Sequence, residues 1–403
     1  MAPFAPTRRA LGLLALPTLA LAGCLGEGGR REAPVVATPA TPVESSPSTS
    51  ASGTIGSGSV KVALILPLTG PGQGAVAAAS LRNAAEMAIA EFQGPDLALR
   101  VWDDRGTAEG AREAATGAVA DGAELIIGPL FAPAVAAAGQ VAKAAGRPVI
   151  AFSTDTSVAS RGVYLLSFTV GPEVDRVLAH AAAQGRRSLA ALIPESVYGN
   201  VVEAEFREAA ARRGMRVAGI ERYPAGQPGP AVARLAGVIG GERPSADALL
   251  LPDSGDGLAA VAASLNSAGY NPARVKPLGT GVWADGRAAR LPALAGGWYA
   301  APDGAGFASF AGRYRAKYGG EPTRIASLAY DAVSLAAALA RTQGSQRFSE
   351  AVLQSPSGFA GADGTFRFRA DGTNDRTLAI MELRAGAASV VSPAPKTLDA
   401  SGA

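Results

Sequence analysis

Short apolar segments alternate with helix-length segments along most of this chain, and this alternation limits the folds that it can adopt. Residues 60–66 (VKVALIL) are β-branched and apolar, and residues 75–92 have the apolar spacing of a helix. The same pattern predicts further strands at 97–102, 125–127 and 148–152, and further helices at 107–120 and 133–145. Strands that alternate with helices of this length predict right-handed βαβ units and a parallel sheet covered on both faces.

The second half of the chain repeats the pattern. Two α/β units in series, between residue 60 and about residue 385, predict two lobes that face each other. Ligands of open α/β sheets bind beyond the carboxyl ends of the strands, so a ligand would lie between the lobes. The predicted strands are 189–193, 217–220, 248–251 and 275–278, and the predicted helices are 197–213, 231–239 and 258–268.

The first 23 residues have the layout of a secretory signal, with Arg8 and Arg9 ahead of an apolar stretch. That stretch is about 13 residues long, whereas a membrane-spanning helix needs about 20. The sequence then reaches Leu-Ala-Gly-Cys, and Cys24 is the only cysteine of the chain. These residues resemble the lipobox of bacterial lipoproteins, which implies that Cys24 is acylated and becomes the mature N-terminus. We therefore expect an exported protein that is lipid-anchored to a bacterial membrane and faces the periplasm, by either the Sec or the twin-arginine route.

Residues 24–59 are rich in Pro, Ala, Thr, Ser and Gly, a composition that cannot bury enough apolar surface to fold. We expect them to form a disordered linker between the lipid and the folded domain. Residues 386–403 are predicted to be a flexible tail.

Charge and residue chemistry exclude several classes of function. The formal net charge is +3, with the charges spread singly, so no basic surface for nucleic acid is predicted. The one histidine, His180, lies in an alanine-rich helical stretch, and no spaced His, Cys and carboxylate ligands occur. No nucleophile with an adjacent base is recognisable. We therefore expect no metal, no cofactor and no enzymatic activity.

Several fragments together carry a resemblance to a known family, the type I periplasmic binding proteins of the leucine-binding-protein-like group. The resemblance covers residues 60–385 and implies an α/β fold of two lobes, each a parallel sheet flanked by helices, with three crossings of the chain between them. Lobe one would comprise residues 60–170 and 304–345, and lobe two residues 171–303 and 346–385. The fragments are VALILPLTG at 62–70, IIGPL at 126–130, PVIAFS at 148–153, Tyr198-Gly199, LAYDA at 328–332, and residues 364–383, which resemble the closing hairpin of the family.

The fold places the candidate ligand-binding residues in loops that follow strands. The amides of Thr69 and Gly70, with the helix after them, suit an anion, although Gly70, like Gly128 and Pro129, is equally expected to form only a turn. Ser153 and Thr154 are either ligand donors or helix caps, and Trp283 is either a stacking wall or core. The candidates from lobe one are Thr69, Gly70, Leu130, Phe131, Ser153, Thr154 and Asp155, and those from lobe two are Tyr198, Asp253, Ser254, Thr280 and Trp283.

The sequence departs from the amino-acid binders that it resembles. Those proteins hold the ligand with Ser and Thr hydroxyls of lobe one and an acid of lobe two. Here Ala132 stands where one hydroxyl is expected, Asp155 stands near the other, and the acid falls at Thr280 or Gly281. These differences argue against plain leucine as the ligand. Asp155, Asp253 or neighbouring Thr hydroxyls either compensate for the missing groups or favour a cationic or hydroxylated ligand.

Two functions follow from the resemblance. The first is a solute-binding lipoprotein that delivers a small, amino-acid-like ligand to an ABC permease. The second is a lipoprotein that activates penicillin-binding proteins in peptidoglycan synthesis, with a synthase as its partner. Residues 128–130, 192–196 and 202–206, with Gly199, are similar to that second group.

Overall fold

The computed structural model describes residues 53–398. The predicted signal, Cys24 and most of the predicted linker lie outside the described residues. The strands are β1 Thr54–Ile55, β2 Val60–Leu66, β3 Leu97–Asp103, β4 Leu125–Ile127, β5 Val149–Ala151, β6 Val163–Leu165, β7 Ser188–Pro194, β8 Arg216–Tyr223, β9 Ala248–Leu250, β10 Lys276–Gly279, β11 Trp298–Ala301, β12 Phe359–Gly361, β13 Gly364–Phe368, β14 Asn374–Arg376, β15 Ala379–Arg384 and β16 Ala387–Ser392. The α-helices are α1 Gln73–Glu91, α2 Ala108–Ala120, α3 Ala132–Ala144, α4 Val170–Ala183, α5 Val197–Arg212, α6 Gly229–Ile239, α7 Gly255–Ser267, α8 Gly304–Tyr318, α9 Ala326–Thr342 and α10 Glu350–Leu353.

Lobe one is built on a sheet of order β1-β3-β2-β4-β5-β6, in which only β1 is antiparallel to its neighbour. Alternate side chains of a strand point to opposite faces, and both faces of β2 are buried. Leu64 packs in the core that holds α1 and α9, and Ile65 packs in the core that holds α2 and α3. Burial on both sides explains why the residues of this strand other than the exposed Lys61 are apolar.

Lobe two is built on a sheet of order β16-β15-β11-β10-β9-β7-β8. The strands from β8 to β11 are parallel, and β15 and β16 are antiparallel additions at one edge. Helices α6 and α7 contribute to the core on one face, and α4 and α5 contribute to the core on the other. The predicted fold, two α/β lobes with mainly parallel sheets flanked by helices, is confirmed.

The chain crosses between the lobes after β6, after β11 and after β14. The first two crossings lie close to the predicted positions, but the third was predicted about thirty residues too early. Residues 346–376 belong to lobe one, because Phe366 and Phe368 are buried in the same core as α1 and α9. The segment that resembles the closing hairpin is divided between the lobes, since β13 pairs with β14 across the turn at 369–373, whereas β15 joins the sheet of lobe two.

Both ends of the described chain are more ordered than the sequence predicts. At the N-terminal end, β1 pairs with β3, and the Ser59 hydroxyl donates to Asp96 at 2.8 Å, so residues 53–59, predicted as linker, belong to the folded domain. At the C-terminal end, β16 pairs with β15 over the predicted flexible tail. The composition does not reveal either strand, because both are short and consist largely of polar or small residues. Each strand forms by pairing at the edge of a sheet.

Two properties of residues 53–398 concern membranes and metals. None of the helices there combines the length and hydropathy that crossing a bilayer requires. Nor do three or more His, Cys, Asp or Glu side chains of that range meet in an arrangement able to hold a metal ion.

Candidate functional site

A cavity of about 570 Å³, within the size range of small-ligand sites, lies at the carboxyl ends of the lobe-two strands. It is formed by the loops that follow β7, β8, β9 and β10. Three of the predicted ligand-binding residues line it, namely Tyr198, Asp253 and Ser254. The full lining is Pro194, Glu195, Ser196, Tyr198, Ala225, Gly226, Pro252, Asp253, Ser254, Asp256, Gly257 and Val282.

Tyr198 reaches the cavity from the first turn of α5. The helix begins with Ser196 as its N-cap, whose hydroxyl accepts from the Gly199 amide at 2.9 Å. The Tyr198 hydroxyl lies 2.6 Å from Thr280 Oγ1. Burial, with the nearby Glu173 carboxylate, raises the pKa of Tyr198, so this residue presents a neutral hydroxyl at the cavity wall.

Asp253 is held in a fixed orientation by two donors. The Tyr223 hydroxyl donates to its Oδ2 at 2.6 Å, and the Ser254 amide donates to its Oδ1 at 2.7 Å. Burial and the Asp253 carboxylate raise the pKa of Tyr223, which keeps that hydroxyl protonated as a donor. A carboxylate oriented in this way can accept hydrogen bonds from a ligand cation without first losing side-chain freedom.

Glu173 is a residue that sequence reasoning missed. It lies in the first turn of α4 with 8% of its surface exposed, and its Oε2 accepts from the Gly281 amide at 2.8 Å. Burial raises its pKa to about 7. The structure thus brings a carboxylate from another element to Gly281, where the sequence comparison expected an acid. An acidic residue early in a helix usually faces solvent, so no local pattern in the sequence indicates this contact.

Glu173 also lines a much smaller cavity, of about 10 Å³, between the first and third crossings. Asn374 and Arg376 line it from β14. The Asn374 amide group donates to the carbonyls of Leu165 and Ser167 at 2.7 Å and 3.0 Å. The Arg376 guanidinium donates to the Asp363 carbonyl at 3.2 Å. The bonds of Asn374 thus link the segments of the first and third crossings.

Trp283 does not line the larger cavity. Its indole is 1% exposed, donates to the Leu251 carbonyl at 3.1 Å, and packs in the core of lobe two. A Cβ at Gly279 would lie 2.2 Å from the indole, which shows how closely the strand and the ring approach. Of the two interpretations of Trp283, the structure favours the core residue.

The first lobe-one candidates lie on their own rim and do not line the cavity of lobe two. Thr69 donates to Asp103 through its amide, at 3.2 Å, and through its hydroxyl, at 2.5 Å. The Gly70 amide donates to the Pro67 carbonyl at 3.2 Å, as a turn residue does. Phe131 is 40% exposed and lies against Gly74, while Leu130 packs on the core of lobe one.

Of the remaining lobe-one candidates, Ser153 and Asp155 bond to each other. Ser153 is buried, and its hydroxyl accepts from the Asp155 amide at 3.1 Å. Asp155 in turn accepts from the Ser157 amide at 2.9 Å and caps a short 3₁₀ helix. Thr154 is exposed. The cap of this 3₁₀ helix is therefore Asp155, and neither Ser153 nor Thr154 caps it.

Two α/β lobes joined by crossing segments, with polar side chains gathered where the parallel strands end, define a two-lobed binding protein. A family model described as periplasmic binding protein matches residues 59–388. The chain belongs to this family.

Solved structures of similar fold support the same two-lobed architecture. A putative branched-chain amino acid ABC transporter protein from Rhodospirillum rubrum is 22% identical, with a TM-score of 0.73, and the match covers 82% of this chain and 99% of that one. A solute-binding protein from R. palustris in complex with benzoate is 20% identical, with a TM-score of 0.57 and coverages of 84% and 98%. A branched-chain amino acid binding protein from Streptococcus pneumoniae in complex with isoleucine is 20% identical, with a TM-score of 0.55 and coverages of 83% and 99%. A search of curated proteins finds no match.

Proposed function

We propose that this protein is a solute-binding lipoprotein that takes up a small, amino-acid-like ligand between its lobes and delivers it to an ABC importer. The observation that carries the proposal is the cavity of about 570 Å³, lined by Tyr198, Asp253 and Ser254, at the carboxyl ends of the lobe-two strands. Cavities in open α/β sheets bind ligands at this edge. The predicted lipid on Cys24 would keep the protein beside the membrane that holds the importer.

The charge of the cavity lining supports a ligand that carries an ammonium group. Glu195, Asp253 and Asp256 contribute carboxylates, and no Lys or Arg belongs to the lining. A plain aromatic acid such as benzoate would be repelled by these groups, whereas an ammonium would be attracted. The amides at the start of α3, on the rim of lobe one, would receive a ligand carboxylate.

We further propose that the protein is not an enzyme. The cavity lining includes no His, Cys or Lys that could serve as a nucleophile or base beside the carboxylates. His180 lies on α4 against the Trp298 ring, at 4.7 Å between ring centroids, and is not among the residues of the cavity.

Thermal melting with a panel of ligands tests the proposal. A ligand at 100 times its dissociation constant adds about 2.7 kcal/mol to the free energy of unfolding, so a neutral or cationic amino acid should raise the melting temperature and benzoate should not. The opposite pattern would contradict the ligand class. The absence of a shift with every compound, together with co-purification of a peptidoglycan synthase, would favour the activator function instead.

The position of the site is tested by removing one hydroxyl. Tyr198→Phe should weaken binding of the ligand found in the panel about 2- to 13-fold, because a neutral hydrogen bond contributes about 0.5–1.5 kcal/mol, and Tyr198→Ala should abolish it. Tyr318→Phe is the matched control, since that hydroxyl donates to the Asn83 carbonyl at 2.8 Å within lobe one. Isothermal titration calorimetry measures both. Unchanged affinity of Tyr198→Ala would show that the ligand binds elsewhere.

A further inference from the structure

The chain crosses between the lobes once more after β16. Residues 393–398 leave the sheet of lobe two at Ser392 and end with Leu398 against Gly358, which lies between α10 and β12 in lobe one. Leu398 is 4% exposed. We call residues 393–398 the C-terminal strap.

The strap is anchored firmly on lobe two. Strand β16 pairs with β15 from Ala387 to Ser392, so the chain returns to the point where β15 began. Arg176 of α4 donates through Nη2 to the Ser392 hydroxyl at 2.8 Å and to the Pro393 carbonyl at 3.4 Å. The same side chain donates through Nε to the Leu378 carbonyl at 3.0 Å, so one guanidinium holds the third crossing and the start of the strap together.

The strap is anchored on lobe one by close packing at a glycine. Gly358 has a φ of +68°, and a Cβ there would lie 3.1 Å from Leu398 Cδ1 and 2.6 Å from the Phe366 carbonyl. A larger residue at position 358 would therefore displace the Leu398 side chain. Phe366 belongs to the main core of lobe one, so Gly358, which Leu398 approaches, lies next to that core.

We propose that the C-terminal strap is a fourth hinge segment that limits how far the two lobes open. Six residues span at most about 20 Å when fully extended, so the separation of the two anchors is bounded as long as Leu398 stays seated. Pro393 and Pro395 restrict the backbone of the strap, which makes it a stiffer connection than a glycine-rich one. The proposal concerns the hinge and does not depend on which ligand is bound.

A distance measurement between the lobes tests this role. Spin labels would be placed at two exposed helix positions, Lys143→Cys on α3 of lobe one and Asn266→Cys on α7 of lobe two, in the full chain with Cys24→Ser. Pulsed electron paramagnetic resonance then gives the distribution of distances without ligand. Leu398→Ser removes the apolar contact, and we expect a broader distribution with a longer mean distance.

Two further variants make the result specific. Lys396→Ser changes an exposed residue of the same segment and should leave the distribution as in the parent. A chain ending at Pro393 lacks the strap beyond its first residue and should reproduce or exceed the effect of Leu398→Ser. Distributions for Leu398→Ser and the shortened chain that match the parent, with far-UV circular dichroism also unchanged, would overturn the proposal.

Discussion

At the scale of single residues, the most informative side chain is the Glu173 carboxylate. It is buried and accepts one backbone hydrogen bond, from the Gly281 amide at 2.8 Å. No cation contributes to the shift of its pKa. A buried charge without a counter-charge is unfavourable. Burial therefore raises the pKa of Glu173 from the ordinary value of 4.5 to about 7.

This shift predicts a specific dependence of stability on pH. Because the folded state binds the Glu173 proton more tightly than the unfolded state does, the contribution of Glu173 to stability is fully present below about pH 4.5 and is lost as the pH rises towards 7. The loss should be about 3 kcal/mol. Glu173→Gln keeps an oxygen that can accept from Gly281, but the amide cannot ionise. The variant should therefore not lose this stability as the pH rises.

Urea unfolding at a series of pH values measures the difference between parent and variant. The free energy of unfolding of the variant is subtracted from that of the parent at each pH, because two other buried carboxyls also titrate. The pKa values of Asp104 and Asp331 are raised to about 6 and about 7, and these groups act in the same direction in both proteins. If the two stability curves remain parallel between about pH 4 and pH 8, Glu173 is not the group that titrates.

At the scale of elements, the start of α5 is fixed by a close approach of two backbones. Gly199, in the first turn of the helix, is buried, and a Cβ there would lie 2.0 Å from the Pro194 carbonyl at the end of β7. The glycine thus allows the helix to begin close to the strand. This packing places Tyr198 beside Thr280.

Replacing that glycine should displace the helix. We expect Gly199→Ala to lower the free energy of unfolding by about 1–3 kcal/mol, as overpacked sites do, and to weaken ligand binding through Tyr198. Gly237→Ala on α6 is the matched control, since nothing lies within 4 Å of the added Cβ, and alanine should be neutral or stabilise by about 0.5–1 kcal/mol. Equal melting temperatures for the two variants would contradict the packing argument.

The elements were largely predictable, with instructive exceptions. The apolar run at Val60–Leu66 and the helix-period segment after it correspond to β2 and α1, because long elements repeat their pattern several times. Strands β6 and β11 were missed, since three or four residues such as Val163–Leu165 and Trp298–Ala301 carry too little pattern. Strand β1 was hidden in the predicted linker, because two residues become a strand only by pairing with β3.

At the scale of the whole molecule, each lobe has its own cores. The hydrophobic clusters found among residues 53–398 each draw their members from one lobe. The tryptophans divide in the same way, with Trp102 in lobe one and Trp283 and Trp298 in lobe two. The two lobes are joined by the crossing segments and by polar contacts.

We expect the lobes to unfold in separable steps. Leu265→Ala removes a fully buried side chain from a lobe-two core and should destabilise that lobe by about 2–5 kcal/mol. In a Trp102→Phe background, tryptophan fluorescence reports lobe two, and its transition should fall below that of far-UV circular dichroism, which reports both lobes. Coincident transitions in this variant would show that the lobes unfold as one unit.

The sequence by itself determined the α/β class, the two-lobed repeat and most strands and helices, because hydrophobic period and turn residues act over neighbouring positions. It also predicted that Tyr198, Asp253 and Ser254 lie at one sheet edge, and the structure gathers them around one cavity. Only the tertiary structure decided that Glu173 meets Gly281, that Trp283 is core, and that residues 346–376 and the C-terminal strap join lobe one. Each of these depends on packing between residues far apart in the chain, which no local pattern encodes.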